Sequence, residues 1–230
     1  MDKEKFQEST NNILVKSLSS LAEGLTGIAA SKKQDIALSI GHLFQKFRGG
    51  QFLSQFQREW NAFREKGRIK EDYEYTEQNY ECLHELLDFL EKEIPDELRF
   101  SIIKKVFLVA ATESVSDRNS LLPQQYMKIC KKLESGEIMV LNATYSVAKE
   151  DWWQQERHFG AARWLEIITD KSGLGYKELV EIYEQGLIYK KLISERELAD
   201  RSGVSIKPYF PLTSLGYNLC EYIQSYEIVA

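Results

Sequence analysis

Phe52, Phe56, Trp60 and Phe63 recur at steps of four, four and three residues, which gathers four aromatic rings on one side of an α-helix and on no single face of a strand. A ridge of that bulk has to be buried against another element, so the chain is committed to helix-on-helix packing. The same rhythm precedes the ridge. Leu14, Leu18, Leu21, Leu25 and Ile28 form one stripe, and Ile36, Ile40, Leu43, Phe44 and Phe47 form a second that the glycine pair Gly49-Gly50 is expected to end.

Beyond the ridge, a run over 71–93 is rich in Asp and Glu, with Lys92 its one Lys or Arg, and Tyr73, Tyr80, Leu83, Leu87 and Leu90 give it an inward face. Pro95-Asp96-Glu97 then suits a helix entry, since proline tolerates the first turn and carboxylates favour the positive end of the helix dipole. The segment 96–115, with Leu98, Ile102, Ile103, Val106, Phe107 and Ala110, is apolar enough to be a central helix. Shorter helices are expected from Pro123 to Leu133 and around Ile138, Val140, Leu141 and Tyr145.

At Lys149-Glu150-Asp151 the pattern changes. Trp152-Trp153 precede a helix with Trp164, Leu165 and Ile168, then a second with Leu179, Ile182 and Tyr183 that the turn Gly186-Leu187-Ile188 is expected to close. Residues 189–209 mix β-branched residues, glycine and proline, and a last helix carries Leu215, Leu219, Tyr222 and Ile223. The expected architecture is a mainly α chain: a multi-helix bundle over 1–150 followed by a small α+β module over 151–230.

The order of two helices, Gly186-Leu187-Ile188, an irregular strand pair and Leu212-Thr213-Ser214-Leu215-Gly216-Tyr217-Asn218-Leu219-Cys220 resembles the end of a winged helix domain. That resemblance implies a DNA- or protein-docking module, its second helix being the recognition element. The wider order of a glycine-interrupted amphipathic start, Leu121-Leu122-Pro123, then Lys132-Leu133-Glu134-Ser135-Gly136-Glu137 and the same ending resembles the Abi-alpha family of bacterial abortive-infection proteins. It implies a helical accessory protein of phage defence or mobile elements, with no catalytic residues to carry over.

A formal charge of −5 argues against a surface built throughout to neutralise phosphate. The acidic helix offers Glu77, Glu81 and Glu85 as a docking face for a basic protein, and Trp152 and Trp153 mark either a recognition site or the hinge between subdomains. In the rival reading nucleic acid is held by Lys177, Lys190, Lys191, Arg196, Arg201 and Lys207, although Glu178, Glu181 and Glu184 on the presumed recognition helix oppose it. The bases over 46–70, interleaved with the aromatic ridge, read as the solvated back of a core helix, with nucleic-acid or membrane contact as alternatives.

Chemistry finds little footing. His84 and Asp88 stand four apart as metal ligands might, but with no third ligand they read as a solvated pair, and no metal is expected. Cys82, Cys130 and Cys220 form no CxxC pair and suit a reducing cytoplasm, and Cys82 and Cys130, within helical apolar patterns, read as buried thiols. Gly173-Leu174-Gly175 lacks the rest of a nucleotide loop, so no cofactor is expected. No segment has the continuous apolar length of a membrane span. A non-catalytic, protein-binding chain is the reading favoured over a DNA-binding regulator, with an enzyme of unfamiliar type third.

Overall fold

The structure is a computed structural model that describes residues 35–36, 38–42, 47–70, 73, 76–93, 95–112, 121–150, 161–195, 197–200, 203–206 and 212–229. It is mainly helical, as expected. The helices are α1 (Phe47–Glu65), α2 (Glu77–Lys92), α3 (Glu97–Thr112), α4 (Leu122–Lys131), α5 (Ser135–Ala148), α6 (Ala161–Ser172), α7 (Lys177–Tyr189), α8 (Ser214–Gln224) and α9 (Tyr226–Val229). Between α7 and α8 lie β1 (Glu197–Asp200) and β2 (Gly203–Ile206), paired antiparallel with Glu197 opposite Ile206 and Asp200 opposite Gly203. Among the described residues no helix is long and apolar enough to cross a membrane.

Two compact units are formed, the first ending at Lys131 and taking back Tyr226 onward, the second running over Lys132–Ser225. In the first unit α3 is the centre. Phe100, Ile103, Val106, Phe107, Leu108, Ala110 and Ala111 are all buried, so the helix is apolar around its circumference rather than along one stripe. The aromatic ridge of α1 lands on it: Phe52 stacks on Phe100 with centroids 4.5 Å apart, and Phe56 and Trp60 meet Phe107 at 5.1 and 5.4 Å. Edge-on and offset contacts of this kind suit the ring quadrupoles. Phe63, last of the ridge, stacks on Tyr226 of α9 at 5.8 Å.

The Gly49-Gly50 pair does not end a helix. Both residues are buried in the first turn of α1, where the unmade intrahelical N–H bonds lower the cost of glycine. The acidic helix starts later than its composition suggests, because Thr76 caps it by accepting from the Asn79 N–H at 3.1 Å. Asp96 does the same for α3 through the Arg99 N–H at 3.0 Å.

The second unit is built on α5. Its N-terminus is fixed by Glu137, which accepts from the Glu134 N–H at 2.8 Å and from Lys190 Nζ at 2.5 Å while only 4% of its side chain is exposed. Gly136 and Gly186 allow α5 and α7 to approach at this point. A methyl group at Gly136 would overlap the Tyr183 ring, and one at Gly186 the Glu137 carboxylate. Gly186 therefore lies inside α7 and does not close it, contrary to the sequence expectation. The left-handed turn after α7 is taken by Lys191, at φ 61. Past that turn Ile193 makes an antiparallel bridge to Leu212, and Thr213 joins the two chain segments. Its N–H donates to the Leu192 carbonyl at 3.1 Å, its hydroxyl to the Lys191 carbonyl at 2.8 Å, and the same oxygen accepts from Gly216 N–H at 3.0 Å to cap α8. Thr213→Ala is expected to cost about 1 kcal/mol of stability for the lost cap, read as a lowered urea midpoint, with Thr213→Ser close to wild type.

Candidate interaction surface

The acidic face of α2 is occupied by the chain's own α4. Glu85 and Asp88 receive Lys131 Nζ, each at 2.7 Å, Lys128 lies 3.7 Å from Glu85, and Glu81 accepts from Gln124 at 3.2 Å. Glu77 is exposed in the first turn. Glu81 and Glu85, both expected to receive a basic partner, are thus bonded to α4. Asp88, which the sequence pairs with His84, instead holds Lys131 and Lys92.

Burial alone would raise the Asp88 pKa and lower that of Lys131. The hydrogen bonds to Lys131 and Lys92 outweigh it and hold Asp88 below 3.8, and the bonds to Asp88 and Glu85 hold Lys131 above 10.5. A depressed carboxylate contributes stability that is complete above its unfolded value and lost as pH falls through the folded one. The raised ammonium contributes below 10.5 and lets go on the alkaline side. Lys131→Met is expected to cost about 1 kcal/mol near neutrality and to flatten the fall of the urea midpoint below pH 4.

In the second unit the supposed nucleic-acid residues separate. Lys177 is 2.9 Å from Glu166 of α6, which its hydrogen bond holds below the ordinary carboxylate range. Lys190 is spent on Glu137. Lys191 is exposed and, among the described residues, its ammonium makes no ion pair. Arg196, Arg201 and Lys207, like Trp152 and Trp153, lie outside the described residues. Glu184, expected to face outward with its neighbours, is buried and accepts from Trp164 Nε1 at 2.9 Å.

Besides Lys177, which holds Glu166, α7 presents to solvent Glu178, Glu181, Ile182, Gln185 and Tyr189, at steps of three, one, three and four. Those steps put all five on one face, opposite the buried Val180, Glu184 and Leu187. Ile182 is 62% exposed and Tyr189 86%. The sequence groups Ile182 with Leu179 and Tyr183 as the apolar residues of this helix without separating their faces. The signal that could have separated it is that Val180, Glu184 and Leu187 define a different face, with a polar residue in its middle.

Elsewhere the titrating groups are tied into packing. Burial and the Glu221 carboxylate raise Tyr145 to about 12, Lys149 bridges the two at 2.9 and 3.0 Å, and Glu221 is lowered first by the Tyr145 hydroxyl. Burial pushes the thiols of Cys82 and Cys220 up to about 12, which leaves both protonated near neutrality. Among the described residues no three His, Cys, Asp or Glu side chains converge as metal ligands.

The chain matches no family model, no curated protein and no solved structure, so the assignment of its surfaces rests on its own residues.

Proposed function

We propose that this chain is a non-catalytic interaction protein that docks a protein partner through the exposed face of α7. The observation that carries the reading is the pairing of Ile182 and Tyr189, two large apolar side chains held in water, with Glu178 and Glu181 beside them. An exposed apolar pair on a rigid helix gains free energy when covered, and carboxylates on the same face disfavour a phosphate backbone. If the second unit is a winged helix, α7 is its recognition element, and the two lysines that could have offset the carboxylates, Lys177 and Lys190, already hold carboxylates of this chain. The Abi-alpha resemblance would put the partner within a bacterial phage-defence or mobile-element system.

The test is a gentle affinity purification of the tagged chain from its native cell, wild type beside the double variant Ile182→Asp/Tyr189→Asp. A protein in near-stoichiometric amount with the wild type and absent from the variant is the expected result. Nuclease-sensitive material, visible in the 260/280 nm absorbance ratio and carried equally by both, would overturn the reading in favour of DNA or RNA binding through the tail.

A further inference from the structure

We infer that α9 is a releasable clasp on the first unit, and that its seat on α1 and α3 is a binding site for a tyrosine followed by a carboxylate, filled here by Tyr226 and Glu227 of the same chain. None of the groups involved lies on α7, so the site stands or falls apart from the docking face above.

Each feature of the two residues is met by a separate contact. The Tyr226 ring stacks on Phe63 with centroids 5.8 Å apart and planes at 20°. The Lys105 ammonium lies over the same ring, 5.1 Å from its centroid. The Tyr226 hydroxyl donates to Glu59 Oε2 at 3.0 Å, and the Glu227 carboxylate accepts from Lys105 Nζ at 2.7 Å. Glu59 and Phe63 stand one turn apart on α1, and Lys105 is on the central helix α3, so the seat belongs to the body of the unit and not to the segment that occupies it. Glu59 keeps its place without the hydroxyl, because its other oxygen holds the buried Lys104 at 2.5 Å. With α9 lifted away the seat retains an aromatic face, an acceptor and a cation, the complement of a Tyr-Glu pair.

The occupant is held more loosely than its seat is built. α9 has four residues, a single turn that is not stable without its contacts. The Glu227 side chain is 61% exposed, so its ion pair is a solvated one. Ser225, the residue before the clasp, is bonded back into α8, its N–H to the Glu221 carbonyl at 2.9 Å and its hydroxyl to the Tyr222 carbonyl at 2.6 Å. α9 can therefore leave by rotation at the Ser225–Tyr226 junction while α8 stays intact. A tethered ligand of this kind competes with a free one at an effective concentration on the order of a few millimolar.

The probe is a fluorophore-labelled synthetic peptide of residues 224–230, followed by anisotropy against the purified full chain at up to about 1 mM. Tyr226→Ala/Glu227→Ala empties the site, and this variant is expected to bind the peptide with a dissociation constant on the order of 0.3 mM. The wild type should bind it about tenfold more weakly, because its own α9 competes. Tyr226→Phe, which keeps the ring on Phe63 and loses only the hydroxyl, should fall between the two. Lys105→Glu added to the emptied chain should weaken the peptide about fivefold, and a peptide carrying Glu227→Lys should recover part of that loss. Circular dichroism confirms that each variant is folded.

A peptide bound equally by the emptied chain and the wild type would overturn the inference, since it would then be held elsewhere. No binding to the folded Tyr226→Ala/Glu227→Ala chain over the whole range would also overturn it, because α9 would then be a fixed part of the core and not a ligand of it. If that variant fails to fold, Tyr226→Phe decides alone: peptide binding no stronger than that of the wild type would overturn the inference.

Discussion

Glu59→Ala is expected to destabilise the first unit by about 3 kcal/mol, far more than the loss of a partly exposed carboxylate ordinarily costs. Lys104 lies on the central helix α3 with only 5% of its surface exposed, and its ammonium is held by Glu59 at 2.5 Å. Glu59 also accepts from the Tyr226 hydroxyl at 3.0 Å, which ties α9 to the same carboxylate. Removing it strands a buried cation, with the Phe100 ring at 5.6 Å as its nearest compensation. The ordering of variants is the informative part. Lys104→Met removes the charge that needs a partner and is expected to stay within about 1 kcal/mol of wild type, and Glu59→Ala/Lys104→Met should recover most of the single-variant loss. Urea denaturation of the four proteins checks it. Equal losses for Glu59→Ala and Lys104→Met would mean that the pair acts through packing and not through charge.

Gly216→Ala is expected to cost about 3 kcal/mol in the second unit. A Cβ at this position would overlap the carbonyl oxygen of Leu192 and crowd the Leu212 side chain. That carbonyl is backbone, and it is fixed by the Thr213 N–H, so it cannot swing aside as a side-chain end could. Relief requires α8 to move away from the exit of α7, which breaks the Thr213 junction as well. Gly41→Ala is the control: nothing lies within 4 Å of its added carbon, and in a helical segment alanine should be neutral or stabilising by up to about 1 kcal/mol. The Gly216→Ala protein should therefore melt below the wild type and the Gly41→Ala protein with it or above it, and a Gly216→Ala protein melting with the wild type would show that the close approach is not a constraint.

The same glycines show where the sequence could be read and where it could not. The aromatic ridge of α1 and the all-apolar α3 were legible because helical burial imposes a 3.6-residue period that survives in the residue order. Gly49-Gly50 and Gly186 were read as punctuation, the common local reason for glycine. For Gly186 the reason is tertiary, since it faces the Glu137 carboxylate from a helix nearly fifty residues away. Leu212-Thr213-Ser214-Leu215-Gly216 was legible as a motif, and the structure supplies its physics: a bridging residue, a cap, and a glycine against a carbonyl.

Charge was harder to read for the same reason. The acidity of α2 could be seen in the sequence, but the bases that answer it, Lys128 and Lys131, lie more than forty residues further on. Lys190 looked available to a phosphate because Glu137, which holds it, is fifty-three residues earlier. Nothing local distinguishes a lysine that will be paired from one that will not. Lys177 and Lys190 are paired and Lys191, among the described residues, is not, although the last two are adjacent in the chain.

The central claim, that α7 presents its exposed face to protein, is tested most directly by a photoreactive amino acid placed at Ile182 and activated in the native cell. Ile182 is exposed enough to accept the substitution without disturbing the core. The account predicts a discrete protein adduct that disappears when Tyr189→Asp is added. An adduct to nucleic acid at this position, insensitive to Tyr189→Asp, would contradict it.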